Sequence, residues 1–169
     1  MEFQTLYQEF LGSTAILHSL LNGLSPQDTR LKPDPEFWSI LEVLCHLYDE
    51  DREDFRTHLD LILNRPSESW PTIDPQTWVK VRNYNEQNFG EMKDKFFAQR
   101  AECLGWLKGL RGRDWGTKYV SQYGEMLAGE MFCSWIAHDN LHMRQLVELR
   151  RMLIEKVTSP YSIEYAGDW

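Results

Sequence analysis

The sequence predicts an all-α protein built as a four-helix bundle. Three observations point there: four long segments carry apolar residues at helical spacing, stretches rich in proline and glycine separate them, and no segment reads as a convincing strand. A chain of 169 residues with 42% hydrophobic residues is long enough for one sizeable core and short for two, so residues 1–169 are expected to form a single domain.

The first helix is read over residues 2 to 22. Phe3, Leu6, Phe10, Leu17, Leu20 and Leu21 recur at its turns, and Asn22-Gly23 supplies a stop. His18, with no histidine one turn away, is assigned no function. Ser25-Pro26 and Pro33-Asp34-Pro35 mark the next stretch as loop, after which Ser39 and Glu42 have the spacing of a capping box. A second helix is expected from residue 39 or 40 to about Asn64, with a stripe of Ile40, Val43, Leu44, Leu47, Phe55, Leu59 and Ile62. His46 stands at the edge of that stripe, with Glu42, Asp49, Glu50 and Glu53 at neighbouring helical positions.

Arg65 to Pro75 holds three prolines and reads as a long connection tethered by Trp70. Gln76 to Leu110 is expected to be helix three, apolar toward its C-terminal end. Asn85 and Asn88 make its beginning polar, which fits either a polar pocket or a solvent edge. Arg111 to Gly116 breaks the pattern, and Thr117 to Tyr123 is ambiguous between loop and extended chain. Helix four is read from about Glu125 to Lys156, and the aromatic tail Tyr161 to Trp169 is expected to dock on the body or on a second copy.

A formal net charge of −8 argues against a general phosphate-backbone binder, so no nucleic-acid partner is expected. No apolar stretch approaches membrane-spanning length, and the acidic start Met1-Glu2-Phe3-Gln4 is unlike a signal peptide. A cytoplasmic protein with no membrane partner is the expectation. Cys45, Cys103 and Cys133, odd in number and set in apolar helical surroundings, read as reduced, buried thiols.

Chemistry concentrates in helix four. His138 and His142 are i, i+4 neighbours on the side that carries Trp135, Leu146 and Leu149, so both imidazoles point inward. Two explanations compete there: ordinary internal hydrogen bonding, and metal ligation with His46 as a third donor from another helix. Glu42 or Asp49 is placed to orient the second nitrogen of His46. Asp49 and Glu50 are candidate general bases, although a solvated acidic helix face explains both equally well. Tyr48 and Gln145 are pocket candidates, and Asp139 fits a supporting contact or an internal salt bridge better than ligation.

Trp38-Ser39-x-x-Glu42-x-x-x-His46-Leu47 opening a second helix, followed by Ala137-His138-Asp139-x-x-His142-x-x-Gln145-Leu146 in a fourth, resembles the DinB superfamily. The likeness spans essentially the whole chain and implies a DinB-like four-helix bundle. It also implies a divalent metal, zinc or nickel, on His46, His138 and His142. Relatives so implied include transferases using bacillithiol, mycothiol or glutathione, and a mycothiol-dependent maleylpyruvate isomerase. The expected function is therefore transfer of a low-molecular-weight thiol, as cosubstrate, to an electrophilic small-molecule substrate. A hydrolase using metal-activated water and a non-enzymatic metal-binding or stress-associated bundle are the alternatives. The family and the aromatic tail together suggest a homodimer.

Overall fold

A computed structural model of the chain describes residues 2–121 and 124–167. Its helices are α1 (Phe3–Leu20), α2 (Ile40–Asp49), α3 (Arg56–Asn64), α4 (Pro75–Val81), α5 (Phe89–Lys108) and α6 (Ala128–Thr158). Four rods make the bundle: α1, the continuous α2–α3, α5 and α6. α6 packs on α1, α2 and α3, while α5 packs on α1 and α2.

The capping box forms as its sequence demands. Ser39 Oγ accepts from the Glu42 N–H at 3.1 Å, and Glu42 Oε2 accepts from the Ser39 N–H at 2.8 Å. The second rod then runs to Asn64 as expected, with one departure. Between α2 and α3, Glu50–Phe55 is a π-helix, which widens the turn and advances the side-chain register. Thr57 Oγ1 donates to the Arg52 carbonyl five residues back at 2.9 Å, meeting an acceptor in the widened turn. Glu50 and Asp51 are buried in this turn, and Phe55 is buried as the apolar stripe predicts.

Helix three is not one helix. The chain breaks after α4 at Asn83, whose φ of 48° is left-handed, passes through a 3₁₀ turn at Tyr84–Glu86, and restarts at α5. Asparagine tolerates that conformation better than most residues because its short amide side chain bonds locally. Each expectation holds for one of the two asparagines, since Asn85 lines a polar pocket with Lys32, Glu42 and Asn83 while Asn88 is exposed. Asn88 caps α5, its Oδ1 accepting from the Glu91 N–H at 3.1 Å. Asn85 staples loops together, accepting from Ser39 Oγ at 2.7 Å and donating to the Arg30 carbonyl at 3.2 Å.

The ambiguous stretch is partly a strand. β1 (Lys118–Ser121) pairs antiparallel with β2 (Gly124–Leu127), Tyr119 opposite Met126, so α6 begins three residues after Glu125. Trp70 does tether the proline-rich connection, stacked 4.2 Å from the His58 ring and 5.1 Å from Tyr119. In the tail, Tyr161 and Tyr165 are exposed and Ile163 is half-buried, while Asp168 and Trp169 lie outside the described residues. Cys45 and Cys103 are buried, but Cys133 is exposed, because it falls on the outer face of α6.

The interior has two apolar clusters. One gathers Phe10, Leu59, Leu107, Phe132 and Trp135; the other gathers Leu17, Leu44, Leu47, Phe96 and Leu146. Polar groups occupy the seam between them. Among the described residues no helix is long and apolar enough to cross a membrane.

Candidate metal centre

Three imidazoles meet at that seam. His46 comes from α2 and is held there by the capped start of the helix; His138 and His142 come from successive turns of α6. His138 Nε2 lies 3.2 Å from His46 Nε2 and 3.1 Å from His142 Nε2. His46 is buried, and His138 and His142 are half-buried, so the cluster has a closed side and an open one. Trp38 covers part of it, its ring parallel to His142 at 6.2 Å and edge-on to His46 at 4.8 Å. Phe55 packs 5.0 Å from His138.

Hydrogen bonding fixes one tautomer. His142 Nδ1–H donates to Gln145 Oε1 at 2.8 Å, which leaves Nε2 of His142 as a bare lone pair facing the cluster. Burial lowers the pKa of all three rings: to about 2 for His46, with His142 and His138 adding to the effect, to about 4 for His138, and below the usual value for His142. They are neutral at pH 7, the state that ligates metal.

The acidic residues separate into distinct roles. Glu50 is 3% exposed and Asp49 5%, so neither lies on a solvated face. Asp49 Oδ2 accepts from Arg82 Nη1 and from the Tyr84 hydroxyl, both at 2.6 Å, which ties the broken start of helix three to α2. Glu50 Oε1 lies 3.7 Å from His46 Nδ1 instead, and its carboxyl shares a hydrogen bond with Asp54. A bond between two carboxyls needs a proton, and burial, with Asp54 beside it, pushes Glu50 up to about 9. Asp54 in turn accepts from His58 Nδ1 at 2.5 Å.

Glu42 does not orient His46. Both its oxygens are engaged, one by the cap and the other by Lys32 Nζ at 2.7 Å. Tyr48 is half-buried and its hydroxyl accepts from Arg52 Nη1 at 3.3 Å, away from the imidazoles' own partners. Gln145 does reach the cluster, through His142.

Asp139 is in an internal salt bridge whose size the sequence does not suggest. Arg100, fully buried, forks to Asp139 at 2.5 and 2.9 Å and to Asp51 at 2.7 and 2.9 Å. Trp135 Nε1 donates to Asp51 Oδ1 at 2.8 Å, and the Arg100 guanidinium lies 4.2 Å from the Phe10 ring centre. Burial lifts the Asp51 carboxyl to about 6 although Arg100 pulls the other way. The network locks α5 to the π-helix and to α6, one residue from Glu50 and one from His138. Its sequence signal is Arg100 itself, a charge on the apolar stripe of Phe96, Cys103 and Leu107.

A family model described as the DinB superfamily matches residues 9–146. Among solved structures the chain is similar to YfiT from Bacillus subtilis, described as a probable metal-dependent hydrolase with an unusual four-helix bundle topology. That likeness has a TM-score of 0.77 at 12% identity and covers 89% of this chain and 87% of YfiT, so it speaks to the fold. No curated protein matches the sequence.

Proposed function

The chain belongs to the DinB superfamily, and on that premise we propose that it is a divalent-metal-dependent enzyme whose metal is held by His46, His138 and His142. The carrying observation is the convergence of three Nε2 atoms on one point. His142 presents a lone pair there, so a proton on His138 Nε2 would serve that contact and a proton on His46 Nε2 would serve the other, and His138 cannot take both roles at once. A cation shared by three lone pairs removes the conflict. Imidazole donors suit zinc, nickel, copper or iron, and of these zinc or nickel is the expected occupant.

When bound, such a metal supplies a Lewis acid that lowers the pKa of a water or thiol sharing its open positions. This chain's residues do the rest. Gln145 holds His142 in the ligating tautomer, Glu50 stands at the outer nitrogen of His46, and Trp38 and Phe55 wall the cluster with apolar rings. The family resemblance favours a low-molecular-weight thiol as the activated nucleophile, transferred to an electrophilic small molecule. The likeness to YfiT favours water, hence hydrolysis, as the second reading.

Elemental analysis of protein purified without chelator tests the premise: near-stoichiometric metal is expected in the wild type and none in His142→Ala. Turnover of an activated ester without thiol, abolished by chelator, selects hydrolysis. Conjugation of 1-chloro-2,4-dinitrobenzene only when thiol is added selects transfer. Activity unchanged in His142→Ala defeats both.

A further inference from the structure

Beside the histidines, a groove of about 440 Å³ runs along the outer face of α6 under the loop before α2. It shares a wall with the centre, because Trp38, stacked on His142, and Gln145, bonded to it, both line the groove. Phe37, Leu141 and Met152 make its body apolar, and Phe37 and Leu141 are 62% and 66% exposed. Apolar side chains left that open beside a reactive centre are a usual form for a small-molecule site.

The polar groups at the end nearest the histidines are donors. Gln145 spends its oxygen on His142, so its amide nitrogen is left without a protein partner among the described residues. Arg144 adjoins it, exposed and likewise without hydrogen bond or ion pair among the described residues. Glu148 and Glu155 line the groove farther along α6, together with Arg151, so the positive end is the one at the centre.

The geometry points to this groove as the substrate site of the proposed enzyme, taking a small carboxylic acid whose apolar or aromatic body lies on Phe37, Leu141 and Met152 while Arg144 and the Gln145 amide bind its carboxylate. Guanidinium and carboxylate match in shape and charge, and a protein of net charge −8 needs a local cation to admit an anion. The assignment rests on the metal-enzyme reading, and its test separates the two.

Two probes of one shape serve, 3-(4-nitrophenyl)propanoate and its neutral amide 3-(4-nitrophenyl)propanamide, titrated calorimetrically into the full chain. The carboxylate is expected to bind at least about tenfold tighter than the amide, as a charge-assisted contact implies. Arg144→Gln should bring the two within about twofold of each other, and Leu141→Ser should weaken both several-fold; both changed residues are exposed on α6, so the fold is kept. In nickel-loaded protein the probe's aromatic proton signals should broaden. Equal binding of the two probes, or a preference that survives in Arg144→Gln, overturns the assignment. Tight binding without broadening in the loaded protein also overturns it, as a substrate site. Failure of zinc or nickel to bind, with the probe preference and its loss in Arg144→Gln intact, would instead defeat the metal-enzyme reading and leave the carboxylate site standing.

Discussion

Glu50 Oε1 and His46 Nδ1 face one another at 3.7 Å, one helical turn apart, and neither atom has a hydrogen-bond partner although both are buried. Glu50 is therefore the residue best placed to act on His46, in preference to Glu42 and Asp49, whose oxygens other residues hold. Its protonation also couples to folding. Folded-state pKa is raised from 4.5 to about 9, so the native protein keeps a proton that the unfolded chain releases as pH climbs through that interval. The stabilisation this proton gives is complete below pH 4.5 and is lost as pH rises through 9.

Glu50→Gln, neutral at every pH, should accordingly be about as stable as wild type near pH 5 and more stable at pH 8.5, the gap widening by at most about 1.4 kcal/mol per pH unit. Urea unfolding with chelator present reads this directly, since a cation on His46 would favour the ionised carboxyl. A gap that does not change between the two pH values would mean that Glu50 is ionised in the native state.

Arg100 carries the largest structural penalty. Its guanidinium is fully buried between Asp51 and Asp139, so Arg100→Met leaves two carboxylates in the seam with no counter-charge. A loss of ~3–5 kcal/mol is expected, as for other buried pairs broken from one side. The triple variant Arg100→Met, Asp51→Asn, Asp139→Asn should recover a large part of that loss in a denaturant melt. If it is no more stable than Arg100→Met alone, the unpaired carboxylates are not the cause.

The capping box supplies a local test. Ser39→Ala removes the acceptor for the Glu42 N–H and the donor to Asn85 Oδ1 together. Stability should fall by ~1–2 kcal/mol, and Ser39→Asn, which keeps a cap but alters the Asn85 contact, should lose less. Equal losses in the two variants would assign the effect to the Asn85 bond.

Those residues mark what a sequence can and cannot disclose. The Ser39–Glu42 cap and the His138–His142 pair are local chemistry three and four residues apart, set by helix geometry alone, and so they are legible. His46 follows because its helix start is legible. The π-helix is not: one widened turn leaves composition unchanged while turning Glu50 and Asp51 inward. Arg100 meets partners 49 and 39 residues away, pairings that only the packing of three helices creates. The left-handed break at Asn83 hides inside a pattern that remains helical on both sides.

Gln145 gives the sharpest test of the metal centre, because it touches no ligand position directly and acts through His142 Nδ1. With its oxygen removed, as in Gln145→Leu, the His142 ring is free to rotate or to put its proton on Nε2, the nitrogen aimed at the cluster. Metal affinity should then drop by about 10- to 100-fold, the usual effect of losing the partner that orients a ligating histidine, while His142→Ala should abolish stoichiometric binding. Gln145→Glu, which keeps an acceptor at the same reach, should retain most of the affinity. Competition titrations with a zinc chromophore distinguish these outcomes, and thermal melts of the metal-free proteins separate ligand orientation from fold damage. If Gln145→Leu binds zinc as tightly as wild type, His142 is oriented by something other than that hydrogen bond, or lies outside the coordination sphere.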